Sequence, residues 1–482
     1  MSLVLGFVVL LLGPAIVELP VSPATTVVAR PAAGLVDKLA SDKALKDLDL
    51  GASVRCTSDG KLWGGHRAGV LMNPASGAKL LSTASALSVL SPEHTVATRL
   101  LGQVTDGVAR DVVLVAGADP SLTQADLEHL AELAAAAGVK RIDGGIDIDI
   151  SYFAGSTTPP AYDTKKTDAG YRPEVPALAI GSGTFIATVS AAKKQGDPVR
   201  VTTSLVAASL EIDNSATTVA GKAIDKIVVE ARAGANGRTR LVVSGSLGKD
   251  APPQGVKKRL ADPARIAAEL FVRALDKKGV ALAGDIRVVT TPKKTSAPEL
   301  ARVTSDPLAA DVKETNTTSN NFMAETIFKH LGVDGSPTQP TGPATWERAA
   351  ERTTAALVAL GVPPTDFQII NGSGLYDGTK VSPEGMTRLL AVETADTPAA
   401  TSFRDSLAVA GVIGTLKGRL VKLKGKVQGK TGTLDNAVSL SGYVPAKGCL
   451  LAFSVLVNGD IGGRAAAVNR RIDAFVLDLA GL

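Results

Sequence analysis

Residues 73–93, NPASGAKLLSTASALSVLSPE, place the tightest limit on what this chain can become. Pro74 and Ser76 mark the start of a helix, and Leu80, Leu81, Ala84, Leu87 and Leu90 recur at helical spacing. Such a helix is apolar on most faces, so it has to lie inside a core. At 482 residues the chain exceeds a single core, which predicts two or three domains, and its 45% hydrophobic content is enough to fill them.

Charge and cysteine usage exclude several classes. The 52 basic and 47 acidic residues are scattered, so the net charge of +5 gives no stripe for nucleic acid. Cys56 and Cys449 are too few for a disulfide framework or a zinc site, though in an oxidising compartment they could make one bridge. His66, His94, His129 and His330 occur singly and without HExxH spacing, which argues against a zinc enzyme. No metal or cofactor is expected.

Residues 3–17, LVLGFVVLLLGPAIV, are uncharged and apolar, short for a membrane span and about as long as a signal-peptide core. Export is the expectation. No Lys or Arg precedes the stretch and the first basic residue is Arg30, so a natural start further upstream and an N-terminal membrane tether both stay open. A buried strand or helix is the plain alternative. VELPVSPATTVVARPAAG reads as a linker, making residues 1–34 a signal or tether segment with its linker.

ASVRCTS and KLWGGHRAGVLM read as two strands of a hairpin reversing at Asp59-Gly60. From about 98 to 292 short β-rich runs alternate with Gly, Asp and Pro, with one helix at TQADLEHLAELAAAAG, as in one or two small α/β modules. Beyond them helices and loops return, followed by the β-rich SLSGYVPAKGCLLAFSVLVNG and a last helix, RAAAVNRRIDAFVLDLAG. No internal repeat of fixed period is present.

GKVQGKTGT, Gly425 to Thr433, looks at first like a phosphate-binding loop, but only three residues separate Gly425 from Gly429 where a P-loop needs four. Its flanks suit a strand carrying Lys430-Thr431-Gly432 better. A Lys three residues after a Ser on a helix lies on the same face, about 5 to 6 Å away at Cβ, where its amine can take the hydroxyl proton. That SxxK pattern occurs four times. Ser58 with Lys61 and Ser246 with Lys249 fall in turns, and Ser190 with Lys193 ends a strand, so only Ser76 with Lys79 opens a helix. Burial there would lower the amine pKa and free a base. Ser319-Asn320-Asn321 is the only SxN, ordinarily a helix cap, and Lys430-Thr431-Gly432 the only KTG, ordinarily an exposed Lys on an edge strand.

SxxK, SxN and KTG in this order resemble the serine penicillin-binding proteins and β-lactamases, through PASGAK, SNN and KTGT. The long β-rich stretch between the first two motifs resembles low-molecular-mass class C penicillin-binding proteins, D-alanyl-D-alanine carboxypeptidases with endopeptidase activity. VAGADPSLT (115–123), YRPEVPAL (171–178) and NGSGLYDGTKVSP (371–383) also resemble family segments. Gly77 stands where Thr is common, Asn320 replaces a frequent Asp, and Tyr376-Asp377 replace a Ser and a basic residue, turning a cation into an anion.

The resemblance implies an α+β fold: a β-lactamase/DD-peptidase-like catalytic domain, an antiparallel sheet flanked by helices, from 35–97 and 293–482, with 98–292 inserted as an accessory region. It implies an exported, cell-envelope enzyme acting on peptidoglycan stem peptides and acylated by β-lactam antibiotics. Ser76 would be the nucleophile, Lys79 its base, and Ser319 a relay linked to both lysines. Asn321 would hold the substrate amide, and Lys430, Thr431 and Thr433 its carboxylate. Gly432 would let the substrate backbone approach, and the N–H groups of Ser76 and Thr433 would form the oxyanion hole. If the first strand pairs with CLLAFSVLVNG as in that fold, Cys56 and Cys449 fall close enough to bond. A β-lactamase or esterase on the same site, and a non-catalytic peptidoglycan-binding scaffold, are the competing expectations.

Overall fold

The computed structural model describes residues 31–482 except Lys166, Asp225, Pro337 and Thr338, and of Ser336, Gln339 and Pro340 the backbone alone. The apolar stretch at 3–17 lies outside the described residues. Among these, no helix is long and apolar enough to cross a membrane.

An antiparallel six-stranded sheet organises the molecule, in the order Leu62–His66, Asp49–Cys56, Cys449–Asn458, Ala437–Ala446, Gln428–Leu434 and Ala408–Val409. Its central strands are buried along nearly their whole length because both faces are covered. Alternate side chains part to opposite sides, as a period of two requires. Val438, Leu440 and Val444, with Leu451, Phe453, Val455 and Val457, join the core under the helices Ala33–Ala40 and Ala465–Leu479. Tyr443, Ala452 and Leu456 face the larger core on the other side, which contains the helix Pro383–Val392.

That larger core holds the helix Lys79–Leu90, buried from Lys79 through Leu87 and again at Leu90, as its sequence demands. Helices Leu308–Thr318, Asn321–His330, Trp346–Ala359 and Pro398–Asp405 enclose it. Each buried Leu contributes about 1.5–3 kcal/mol relative to exposure, so the helix has no stable place on a surface.

The inserted region forms three further sheets. One, of mixed direction, runs from Ala97–Thr105 to Glu299–Thr304, which pair with each other, so residues up to 304 share the sheet of the inserted region. Helix Gln124–Ala136, where the sequence predicts it, packs on a second helix, Pro263–Lys277, that the sequence reading passed over. Its signals are ordinary ones. Asp262 caps it by accepting from Arg265 N at 3.0 Å, Pro263 fills the first turn, and Ile266, Leu270, Phe271 and Ala274 make its apolar face.

Candidate active site

The turn carrying Ser76, the Ser319–Asn321 segment and the KTG strand converge on one cleft. Asn73 exchanges hydrogen bonds with the end of a central strand: Asn458 Oδ1 accepts from Asn73 N at 2.8 Å, and Asn458 Nδ2 donates to Asn73 O at 2.9 Å. Asn73 Oδ1 then accepts from Ala75 N at 2.8 Å, holding Ala75 in the left-handed region at φ 47°. Such strain in a non-glycine residue costs about 1–3 kcal/mol and persists only where the surroundings over-determine it. Ser76 follows in a short 3₁₀ turn, Ala75–Ala78, and the α-helix proper begins at Lys79. The hydroxyl is therefore presented on a tight turn ahead of the α-helix rather than within it.

Lys79 is fully buried, and its Nζ donates to Ser76 Oγ at 2.9 Å, Asn321 Oδ1 at 2.6 Å and Ser373 O at 3.0 Å. Burial pushes this amine down to about 7, with Glu325 opposing the shift. A lysine in that state is a usable base at neutral pH. Asn321 is engaged at both ends of its amide, since Nδ2 also donates to the carbonyl of Tyr171 at 2.7 Å.

Ser319 caps the helix Leu308–Thr318 in the left-handed region, at φ 62°. Its Oγ accepts from Lys430 Nζ at 2.9 Å, while Lys79 makes its hydrogen bonds elsewhere, so the expected link of Ser319 to both lysines is present with Lys430 alone. Asn320 caps the next helix by accepting from Met323 N at 3.2 Å and donates to Ser182 Oγ of the inserted region at 2.9 Å.

Lys430 is fully buried, contrary to the ordinary reading of an exposed edge-strand lysine. Burial and the neighbouring Lys79 hold it well below its usual range, and Nζ also donates to Thr431 O at 2.8 Å. Thr431 Oγ1 donates to Thr415 Oγ1 at 2.8 Å, whereas Thr433 is exposed in the cleft. Strand Ala408–Val409 pairs only with Gln428 and Gly429, so among the described residues the outer edge from Lys430 onward is left to the cleft. Gly432 is also required by the protein itself. A Cβ there would lie 2.5 Å from Pro74 O and 2.3 Å from Ser439 Oγ, so the close approach is between the strand and the nucleophile turn.

Ser76, Ser319, Asn321 and Thr433 line one cavity of about 480 Å³, with Tyr171, Tyr376, Asp377, Lys165 and Asp435 around it. Three larger cavities, about 600, 590 and 610 Å³, open on the inserted region. Size does not decide between them. The lysines of the first, Lys293 and Lys294, are exposed, and Lys293 is paired with Asp147 at 2.9 Å, so it offers no buried base. Among the described residues no group of three or more His, Cys, Asp or Glu could hold a metal ion.

Glu325 and Tyr162 of the site carry no motif, while Tyr171, Ser373 and Asp377 lie in the family-like segments YRPEVPAL and NGSGLYDGTKVSP. One faint signal existed for Glu325, a carboxylate one turn after Asn321 within the apolar run FMAETIF. Cys56 and Cys449 are bonded to each other at the ends of paired strands, with Cα atoms 5.9 Å apart.

Residues 32–478 match the family described as D-Ala-D-Ala carboxypeptidase 3 (S13). The chain belongs to this family. A D-alanyl-D-alanine carboxypeptidase of Actinomadura sp. (strain R39) is 30% identical over 462 residues, covering 92% of this chain and 84% of the relative. The D-alanyl-D-alanine carboxypeptidase DacB of Haemophilus influenzae is 23% identical over 417 residues, 84% of each chain. The crystal structure of penicillin binding protein 4 (dacB) from Haemophilus influenzae superposes with a TM-score of 0.80 at 22% identity, covering 93% of this chain and 99% of that one. The S13 chain is thus a serine peptidase with the DD-peptidase fold that its three motifs led us to expect.

Proposed function

We propose that this serine DD-peptidase removes the terminal D-Ala from peptidoglycan stem peptides, and opens D-Ala crosslinks, through an acyl-enzyme on Ser76. The observation that carries the reading is a fully buried amine 2.9 Å from a serine hydroxyl in an open cleft. Lys79 accepts the proton of Ser76 as Oγ bonds to the carbonyl carbon of the penultimate D-Ala. The N–H groups of Ser76 and Thr433 stabilise the oxyanion. Ser319 gives its hydroxyl proton to the amine of the departing D-Ala as the C–N bond breaks, and takes one in turn from the Lys430 ammonium 2.9 Å away. Thr433 contacts the terminal carboxylate directly. That anion raises the proton affinity of Lys430, so charge is restored where it is used. Asn321, held by Lys79 and Tyr171, aligns the amine and the substrate amide. Water then attacks the ester, losing a proton through Ser319 to Lys430, while Lys79 returns its proton to Ser76 Oγ as the C–O bond breaks.

A β-lactam offers the same carbonyl but leaves its amine tethered, which suits it as a covalent inhibitor. A structure of the Haemophilus influenzae protein complexed with a novel β-lactam, TM-score 0.76, supports this. The S13 membership supports an envelope location, and the apolar 3–17 stretch supports export or tethering at the N-terminus.

Incubation with benzylpenicillin should add one drug mass to a peptide containing Ser76, and Ser76→Ala should abolish it. Labelling that persists elsewhere in Ser76→Ala would refute the assignment. Rapid turnover of a chromogenic cephalosporin would replace it by a β-lactamase.

A further inference from the structure

Glu325 lies on the helix Asn321–His330, four residues after Asn321 and so on the same face, one turn deeper. It is fully buried. Gly372 N donates to its Oε2 at 3.0 Å, Ser373 N to its Oε1 at 2.9 Å, and Tyr162 OH to Oε1 at 3.3 Å. Three donors converging on one carboxylate favour its ionised form, and burial opposes it by raising the carboxyl above its ordinary range. The loop so held is the one whose Ser373 carbonyl accepts from Lys79 Nζ, and Ser373 Oγ meets Tyr162 OH at 2.9 Å. Tyr162 arrives from the inserted region and is itself completely buried, with Arg172 Nε on its carbonyl at 2.9 Å.

We propose that Glu325 is a positioning residue for the reaction: it clamps the loop that orients Lys79 and supplies the negative charge that balances that amine in the buried site. The inference rests on reading Lys79 as the base of Ser76. Two lysines and one carboxylate share this interior, and an unpaired buried charge is costly. Without the carboxylate, burial alone drives the Lys79 amine toward permanent neutrality, leaving it a weaker proton acceptor. The other ionisable groups facing this interior are distinct in role. Lys430 comes from the KTG strand and donates to Ser319. Lys329, on the same helix as Glu325, is turned to Ser156 O at 3.2 Å and over the Trp346 ring at 4.3 Å. Tyr162 and Tyr376 are both pushed upward by burial and stay neutral in the working range.

The test is the pH dependence of acylation by benzylpenicillin. In Glu325→Gln the rise of rate with pH should move to lower pH by about one unit, and the plateau should fall about tenfold or more. Tyr162→Phe removes a donor without removing charge, so it should lower the rate and leave the rise where it was. If Glu325→Gln does not fold, Glu325→Asp draws the charge back from Lys79 and should move the rise in the same direction by a smaller step. A rise that stays at the wild-type pH in the folded Glu325 variant, or that moves equally in Tyr162→Phe, overturns the proposal. Persistent labelling of Ser76→Ala would instead remove the reading beneath it, so the two failures are told apart.

Discussion

Lys79 and Lys430 are both fully buried in one cleft; burial makes each harder to protonate, and Lys79 adds to the effect on Lys430. The consequence for pH is directional. Lys79 must be neutral to accept the Ser76 proton, and its folded pKa is lowered to about 7, so acylation should be weak in acid and rise with pH through about 7. Rapid-quench measurement of benzylpenicillin acylation across that range checks it. Lys79→Ala, which deletes the base, should slow acylation by roughly 100- to 10,000-fold with little change in folding. The motif residues of this site were legible because SxxK, SxN and KTG occur together and in that chain order, although each alone reads as a cap, a turn or an edge-strand residue. Glu325, Ser373 and Tyr162 were not, since their meaning is a meeting of three distant segments and no spacing along the chain encodes it.

At the scale of elements, the KTG strand and the nucleophile turn fit by backbone contact. Gly432→Ala would push a methyl to within 2.5 Å of Pro74 O, which belongs to the turn carrying Ser76. We expect a stability loss of about 1–3 kcal/mol by urea denaturation, and a larger loss of acylation than stability alone accounts for. The residue type was legible from KTG, but its reason was not, because a glycine gives the same letter whether substrate or protein crowds it. Strand structure in 439–459 was readable from the β-rich run, and its nearly continuous burial follows from cover on both faces. The helix Pro263–Lys277 was readable too, and was passed over because β-rich neighbours surround it. Asp262→Ala should cost about 1 kcal/mol through loss of the cap to Arg265 N.

At the scale of the whole molecule, the inserted region enters the proposed active site rather than lying beside it. Tyr162 meets Glu325 and Ser373, Tyr171 holds Asn321, and Ser182 accepts from Asn320. A β-rich stretch between two motifs announced an insertion, and its reach into the site followed from folding alone. Stability also has a term at this scale. The Cys56–Cys449 bond spans 393 residues of sequence and closes the sheet at its strand ends. Replacing both cysteines by Ser should lower stability by about 2–4 kcal/mol in urea titration while leaving the acylation rate near that of the wild type.

The same bond encircles the accessory region. A protease that severs the backbone once, anywhere between Thr57 and Gly448, liberates nothing, because the severed pieces stay tied through sulfur. On a denaturing gel such clipped material migrates as a single band, and only reductant reveals that the polypeptide has been cut.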